Sequence, residues 1–589
     1  MPPENLHSRT ASSITSDTIE IEDYQEPSPP NPEAVKADRR RALKRKLIIA
    51  ASSTVLLATI IVAGTSGLFI GGPRSDDQAD IQAAKIQVFC QLTDFPNVCI
   101  SRLTNYTERD PSGSGADPKS LLLSSVAANI ETVGSVYRIA KRIVEKKLDD
   151  PTQKAAEDCE QLLTYAAAEL NASYVGMDAA TSGSMPCALS NVLSGLSAAV
   201  AYEQTCCDGL GGGGAGTAEI RAVLWNATLE TRNNLALMSE FPATAERRRM
   251  RKLMAAVVDG ERMVWRAARG EADVVVAKDG SGDLRTISAA LEVARMEREG
   301  RFVIYVKEGV YEESVRVTWE MKYVTMYGDG ANRTVVTGSR GFKDGFTVYQ
   351  TPTFAVSGVA FMARDMGFEN TAGPEKAQAV ALLVESDLAV FHKCHINGYQ
   401  NTLHAHAQRQ FYRSCTISGS IDIISGGAAA IFQNCEIMVK KPQPGQENII
   451  TAQTRLDRHQ TTGIILQNCT ISANDDLIPA RGDVATYLGR PVKEHSRTVV
   501  MQSTIGDLVR PEGWASGPGD VGLEQTVYFA EFENRGPGAD VAERVTWPGF
   551  HVLRDVAEAT RFTAGEFVEG IYWLNMTGVQ FHTGIIDAL

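Results

Sequence analysis

The sequence has no excess of basic charge. Its 58 Lys and Arg stand against 71 Asp and Glu, a formal net charge of −13, so nothing here gives the basic footprint of a nucleic-acid partner. Aromatics are almost absent from the first 46 residues, where Tyr24 stands alone among Ser, Pro and Glu. Such a segment buries too little apolar surface to offset the entropy of ordering, and residues 1–46 read as a disordered tail. No charge occurs between Leu47 and Gly72. A bilayer core needs ~20 apolar residues in a helix, whereas a secretory h-region has only ~7–15. No cysteine precedes residue 90: all ten follow the uncharged run, as do all six Asn-x-Ser/Thr sequons, at Asn105, Asn171, Asn226, Asn332, Asn468 and Asn575.

What is present gives these absences a direction. Lys36, Arg39, Arg40, Arg41, Lys44, Arg45 and Lys46 sit just ahead of the run. The positive-inside rule then makes residues 47–72 a signal anchor, keeps the N-terminus cytosolic and sends the remainder to the lumen. Disulfides persist there and sequons can be glycosylated there. A cleaved signal peptide is the rival reading, and the long preamble argues against it.

A chain of 589 residues exceeds the ~250–300 that one core usually supports, and the lumenal part changes period midway. From about residue 80 to 240 it is Ala- and Leu-rich with helical spacing. Ile130, Val133, Val136, Tyr137, Ala140, Ile143, Val144 and Leu148 form one stripe of a long helix. Cys90 and Cys99 are close enough to clip a hairpin, and Cys159 and Cys206 can join two helices, so this is an all-α, disulfide-stapled bundle. Residues 241–272 read as a linker whose basic run, Arg247 to Lys252, is an accessible processing site.

After residue 272 short β-rich runs take over, with a repeat: Phe391-His-Lys-Cys394, Phe411-Tyr-Arg-Ser-Cys415, Phe432-Gln-Asn-Cys435 and Leu466-Gln-Asn-Cys469, the first three cysteines 21 and 20 residues apart. A period near 20 residues fits one coil of a right-handed parallel β-helix, with rungs ~4.8 Å apart. On such a wall Gln378, Gln400 and Asp422, spaced at 22 residues, line up on one face, and Arg490 offers a fixed guanidinium. A lone carboxylate can attack an ester carbonyl, amide N–H groups can hold the oxyanion, and an Arg can keep the carboxylate ionised and oriented. Taken singly, the amides also fit structural ladders and Asp422 with Arg490 a buried ion pair.

Here the chain resembles a known family. "VVAKDGSGD" (275–283), "NTAGPEKAQAVAL" (370–382), "GYQNTL" (398–403), "YLGRP" (487–491) and "RTVVMQS" (497–503) look like plant pectinesterases over residues 273–589. Residues 80–240, with "LSAAVAYEQTCCDG" (196–209), look like the inhibitor domain that precedes them in longer members. The resemblance implies disulfides Cys90–Cys99 and Cys159–Cys206, with Cys187 and Cys207 extra, and a processing protease acting near Arg251-Lys252. It implies no metal or organic cofactor, pectin as substrate in the cell wall, and contact between the inhibitor-like domain and a pectinesterase domain. It makes Asp422 the nucleophile, Arg490 its orienting partner, and Gln378 and Gln400 the oxyanion donors.

The departures fall in the same groove. The family motif is G-Y-Q-D-T-L, whose aspartate is the general acid for departing methanol; here the position is Asn401, which has no proton to transfer. Ile423 and Ser425 replace aromatics of D-F-I-F-G. Val492 replaces a tryptophan expected on the sugar rings, Trp514 is retained, and a second tryptophan three residues on is Gly517. The usual Tyr after Leu403 is His404, a competing proton donor. Two functions follow: a pectinesterase of reduced activity, or a non-catalytic member that binds pectin or regulates active enzymes. A lyase or polygalacturonase would carry clustered carboxylates that are not visible in the sequence.

Overall fold

The computed structural model describes residues 75–109, 117–146, 150–181, 185–210, 215–240, 272–295, 300–517 and 522–587. The chain divides into Met1–Gln78 and Ala79–Leu589, and the account below concerns the second unit. The expected anchor at 47–72 and the basic run at 247–252 lie outside the described residues. Among those described, no helix is long and apolar enough to cross a membrane.

The N-terminal part is helical: α1 (Ser75–Cys90), α2 (Pro96–Arg109), α3 (Pro118–Lys146), α4 (Asp150–Ala179), α5 (Met185–Gly209) and α6 (Ala215–Glu240). On α3 the predicted stripe buries Val133, Val136, Ala140 and Ile143, with Ile130, Tyr137 and Val144 packed at its margin. One such apolar face per helix makes the core a bundle. Disulfides join Cys90 to Cys99 and Cys159 to Cys206. Cys207 is a free, half-buried thiol.

From Val274 on, parallel strands stack into three sheets of eleven, seven and eight strands. The repeat follows the coil. Phe391, Tyr412, Phe432 and Leu466 are in register on neighbouring strands and point into the core. The residue before each cysteine turns the corner with positive φ: Lys393 (54°), Ser414 (51°), Asn434 (57°) and Asn468 (52°). The cysteines then point inward as buried free thiols, and Cys415, Cys435 and Cys469 each donate to a carbonyl of the rung before, from Phe391, Tyr412 and Phe432. They act as small apolar core residues.

The seven-stranded sheet carries the row Leu383, His404, Ser425, Ala452 and Arg490, one residue per rung and in register. The helical bundle packs against this side of the solenoid. Ser194 Oγ donates to Gln408, Gln460 Nε2 to the Ser197 carbonyl, and Lys493 Nζ lies 3.0 Å from Asp208. Arg232 pairs with the buried Asp457 at 2.8 Å. Asp94 and His459 converge on the same point, with Arg458 bonded to Asp94, so the two guanidiniums make this carboxylate cluster an ion-pair latch.

Candidate active site

Three residues at the corners leading into the seven-stranded sheet have positive φ: Ala377 (59°), Asn401 (58°) and Asp422 (50°). Asn and Asp tolerate this left-handed conformation best among residues with a side chain. The backbone therefore accepts Asn or Asp at 401 equally, and the exchange costs the fold little while removing an ionisable group. Gln378 and Gln400 pair as an isolated parallel bridge, which places these half-buried amides on adjacent rungs, as their spacing predicts.

Asp422 and Arg490 meet as a two-pronged fork. Arg490 Nε donates to Asp422 Oδ1 at 2.9 Å and Nη2 to Oδ2 at 2.5 Å. The carboxylate side chain is 10% exposed and the guanidinium 28%. Burial raises the Asp422 pKa above the usual range, and the charge and hydrogen bonds of Arg490 oppose that rise. The result is a desolvated carboxylate held in one orientation, as a nucleophile requires.

Beside it, Asn401 Nδ2 donates to Ser425 Oγ at 3.2 Å, and Ser425 Oγ lies 2.9 Å from His404 Nδ1. Asn401 Oδ1 is buried without a partner. Burial, reinforced by the neighbouring His406, lowers the His404 pKa to about 3. A ring held that low is uncharged near neutral pH, which argues against His404 as the proton donor in place of Asn401.

Ile423 is wholly buried and Val492 half-buried. Trp514 corrects an expectation: rather than facing a sugar it is 1% exposed, packs on Phe529 and donates its indole N–H to Glu531. At Gly517 a Cβ would come within 2.9 Å of Leu523 and of the Pro491 carbonyl, so the chain has closed over the place of the second tryptophan.

Sequence reasoning missed the groups that hold the bundle here. Glu385, 3% exposed, accepts from Tyr349 OH and Ser357 Oγ, and its Oε2 lies 3.0 Å from His406 Nδ1. From α5, Thr205 Oγ1 reaches His406 Nε2 at 2.7 Å and Tyr202 OH donates to the Glu385 carbonyl. A cavity of about 140 Å³ separates α5 from the wall, lined by Gln204, Thr205 and Asp208 on one side and by His404, His406 and Thr454 on the other. The acid Glu385 directly after the apolar run "VALLV" (380–384) was the available signal.

The Pectinesterase family model covers residues 273–571. The chain belongs to the pectinesterase family. These are carboxylic ester hydrolases, and the Plant invertase/pectin methylesterase inhibitor model covers residues 84–238 of the same chain. Over 92% of its length the chain is 37% identical to a putative pectinesterase/pectinesterase inhibitor 28 of Arabidopsis thaliana, spanning 75% of that protein. With putative pectinesterase/pectinesterase inhibitor 45 of the same plant it shares 36% identity over 94% of this chain and 98% of the other. The solved structure of a pectin methylesterase from carrot is similar at 45% identity, covering 54% of this chain and 99% of that one with a TM-score of 0.53.

Proposed function

We propose that the β-helix half hydrolyses methyl esters of pectic galacturonan, with Asp422 as nucleophile. The observation that carries this is the forked Asp422–Arg490 pair beside two amides on adjacent rungs. In this reading Asp422 attacks the ester carbonyl, Gln378 and Gln400 donate to the oxyanion, and methoxide leaves as the acyl-enzyme forms. Water then attacks that acyl group and releases the galacturonate carboxylate and free Asp422. Methoxide needs a proton to depart, and general acid catalysis is worth roughly 10²–10⁴-fold. Asn401 supplies none and His404 is neutral, so turnover is reduced by that order.

The second reading, a non-catalytic member that binds pectin or regulates active enzymes through its inhibitor-like half, is favoured by one observation: α5 lies against the wall of the groove at His404 and His406. The N-terminal anchor, lumenal glycosylation, delivery to the cell wall and cleavage near Arg251-Lys252 belong to the same proposal and rest on the sequence. The deciding experiment is methanol release from methylated pectin by residues 273–589, with and without Asn401→Asp. No release by either form, with pectin binding retained, would leave the non-catalytic reading standing.

A further inference from the structure

Three of the positions that depart from the family pattern in this groove are not independent. Asn401 and Ser425 lie 24 residues apart, His404 and Ser425 21 apart, yet they form one chain of hydrogen bonds. An amide nitrogen donates and cannot accept, so Asn401 Nδ2–H points to Ser425 Oγ. Ser425 Oγ keeps its own proton beside a second lone pair, and the tautomer with a bare Nδ1 and a protonated Nε2 lets the serine donate that proton to His404. Burial and the nearby His406 keep that ring uncharged. With its amide N–H engaged, Asn401 turns its other end, Oδ1, into a buried position with no protein partner. A buried acceptor without a donor is costly, and such an atom marks a place where a ligand hydrogen belongs.

We propose that Ser425 and His404 are positioning residues that fix the Asn401 amide, so that Oδ1 accepts a hydrogen bond from an O–H group in the groove. Two sources offer that group: the water that cleaves the acyl-enzyme, or a hydroxyl of the bound sugar. No proton is transferred to Asn401 in either case; water attacks the acyl carbonyl, the bond to Asp422 breaks, two carboxylates are left, and both protons of that water go to solvent. The proposal rests on the groove being an ester-hydrolase site only for the identity of the O–H donor.

The arrangement has a consequence for restoring the acid. An aspartate at 401 would receive the Ser425 proton, which stabilises its ionised form, lowers its pKa and leaves less of it protonated to act as the acid. The double variant Asn401→Asp/Ser425→Ala should then release methanol about tenfold faster than the product of the two single effects, with its pH profile shifted upward. Multiplicative effects and an unmoved profile would overturn the coupling. In Ser425→Ala alone, a fall in kcat at constant KM identifies water as the donor, and a rise in KM identifies the sugar.

A measurement independent of turnover separates this idea from the enzymatic reading. In the full chain labelled with ¹⁵N-histidine and assigned with His404→Gln, one imidazole should show protonated Nε2 and a hydrogen-bonded, bare Nδ1. It should not titrate between pH 5 and 8, and Ser425→Ala should shift its Nδ1 signal. An imidazole that titrates in that range, or ignores Ser425→Ala, overturns the proposal whether or not the protein turns over.

Discussion

Raising the pH should loosen the helical bundle from the β-helix, and two carboxyls on α4 set the scale. Asp158 sits between Thr347 and Gln350 of the solenoid. Burial pushes its pKa to about 6, against the hydrogen bonds from those two residues. Glu169 lies beside Asp387 and Arg409, and burial together with the Asp387 charge lifts it to about 8. Undocked, both return to ordinary values of 3.8 and 4.5. A carboxyl whose pKa is raised on docking takes up a proton as it docks. Its contribution is complete below the undocked value and is lost as the pH climbs toward the docked one. From pH 5 to 7 docking should weaken on the order of 10³-fold, about 70-fold of it through Glu169 and about ninefold through Asp158. Asp457 works in the other direction at acid pH. Burial opposes its ionisation, but hydrogen bonds from His459 and Arg232 win and hold its pKa far below the usual range, so that share of docking is lost only as the pH falls below the ordinary 3.8. Hydrogen exchange at residues 403–406, corrected for intrinsic rates and followed from pH 4 to 8, reads the equilibrium directly. Glu169→Gln should flatten most of the slope and leave the bundle tighter at pH 7. Protection that is constant or rising between pH 5 and 7, or a Glu169→Gln variant with the full slope, refutes the reasoning.

Arg490→Ala leaves the buried Asp422 without its partner, and should abolish methanol release and cost about 3 kcal/mol in a urea melt, typical for breaking a buried pair. Asn401→Asp should raise methanol release in residues 273–589, up to the roughly 10²–10⁴-fold that a positioned acid supplies; a smaller gain is expected while Ser425 is present. Cys206→Ser removes the bond to Cys159 and should cost the bundle about 2–4 kcal/mol, and non-reducing mass mapping that pairs Cys159 with Cys207 would contradict the assignment. Alanine at Arg247 to Lys252 should leave only the full-length species on expression in plant cells; two unchanged fragments would make the basic run a solvated linker.

Much of this molecule was legible in order along the chain. The 20-residue recurrence of an aromatic or Leu three residues before Cys predicts a solenoid because each coil must return the same side chain to the same core position. The helical stripe on α3 and both disulfides follow from spacing and resemblance. Gln378, Gln400, Asp422 and Arg490 were marked by being polar where the wall is otherwise apolar. Asn401, Ser425 and His404 were visible as departures, each apparently separate. Only the coil, bringing residues 401, 404 and 425 onto neighbouring rungs, makes them one hydrogen-bonded unit, because contact across rungs depends on stacking and not on sequence distance. The neutral state of His404 likewise comes from burial, a property of everything packed around it, and no local motif encodes that. Trp514 kept its expected identity but lost its expected role, since Phe529 and Glu531 enclose it from rungs further along. The Glu385–His406–Thr205 contact joins residues nearly 200 positions apart, so the chemistry was written in the sequence while the tertiary structure alone decided which groups face each other and which keep their protons.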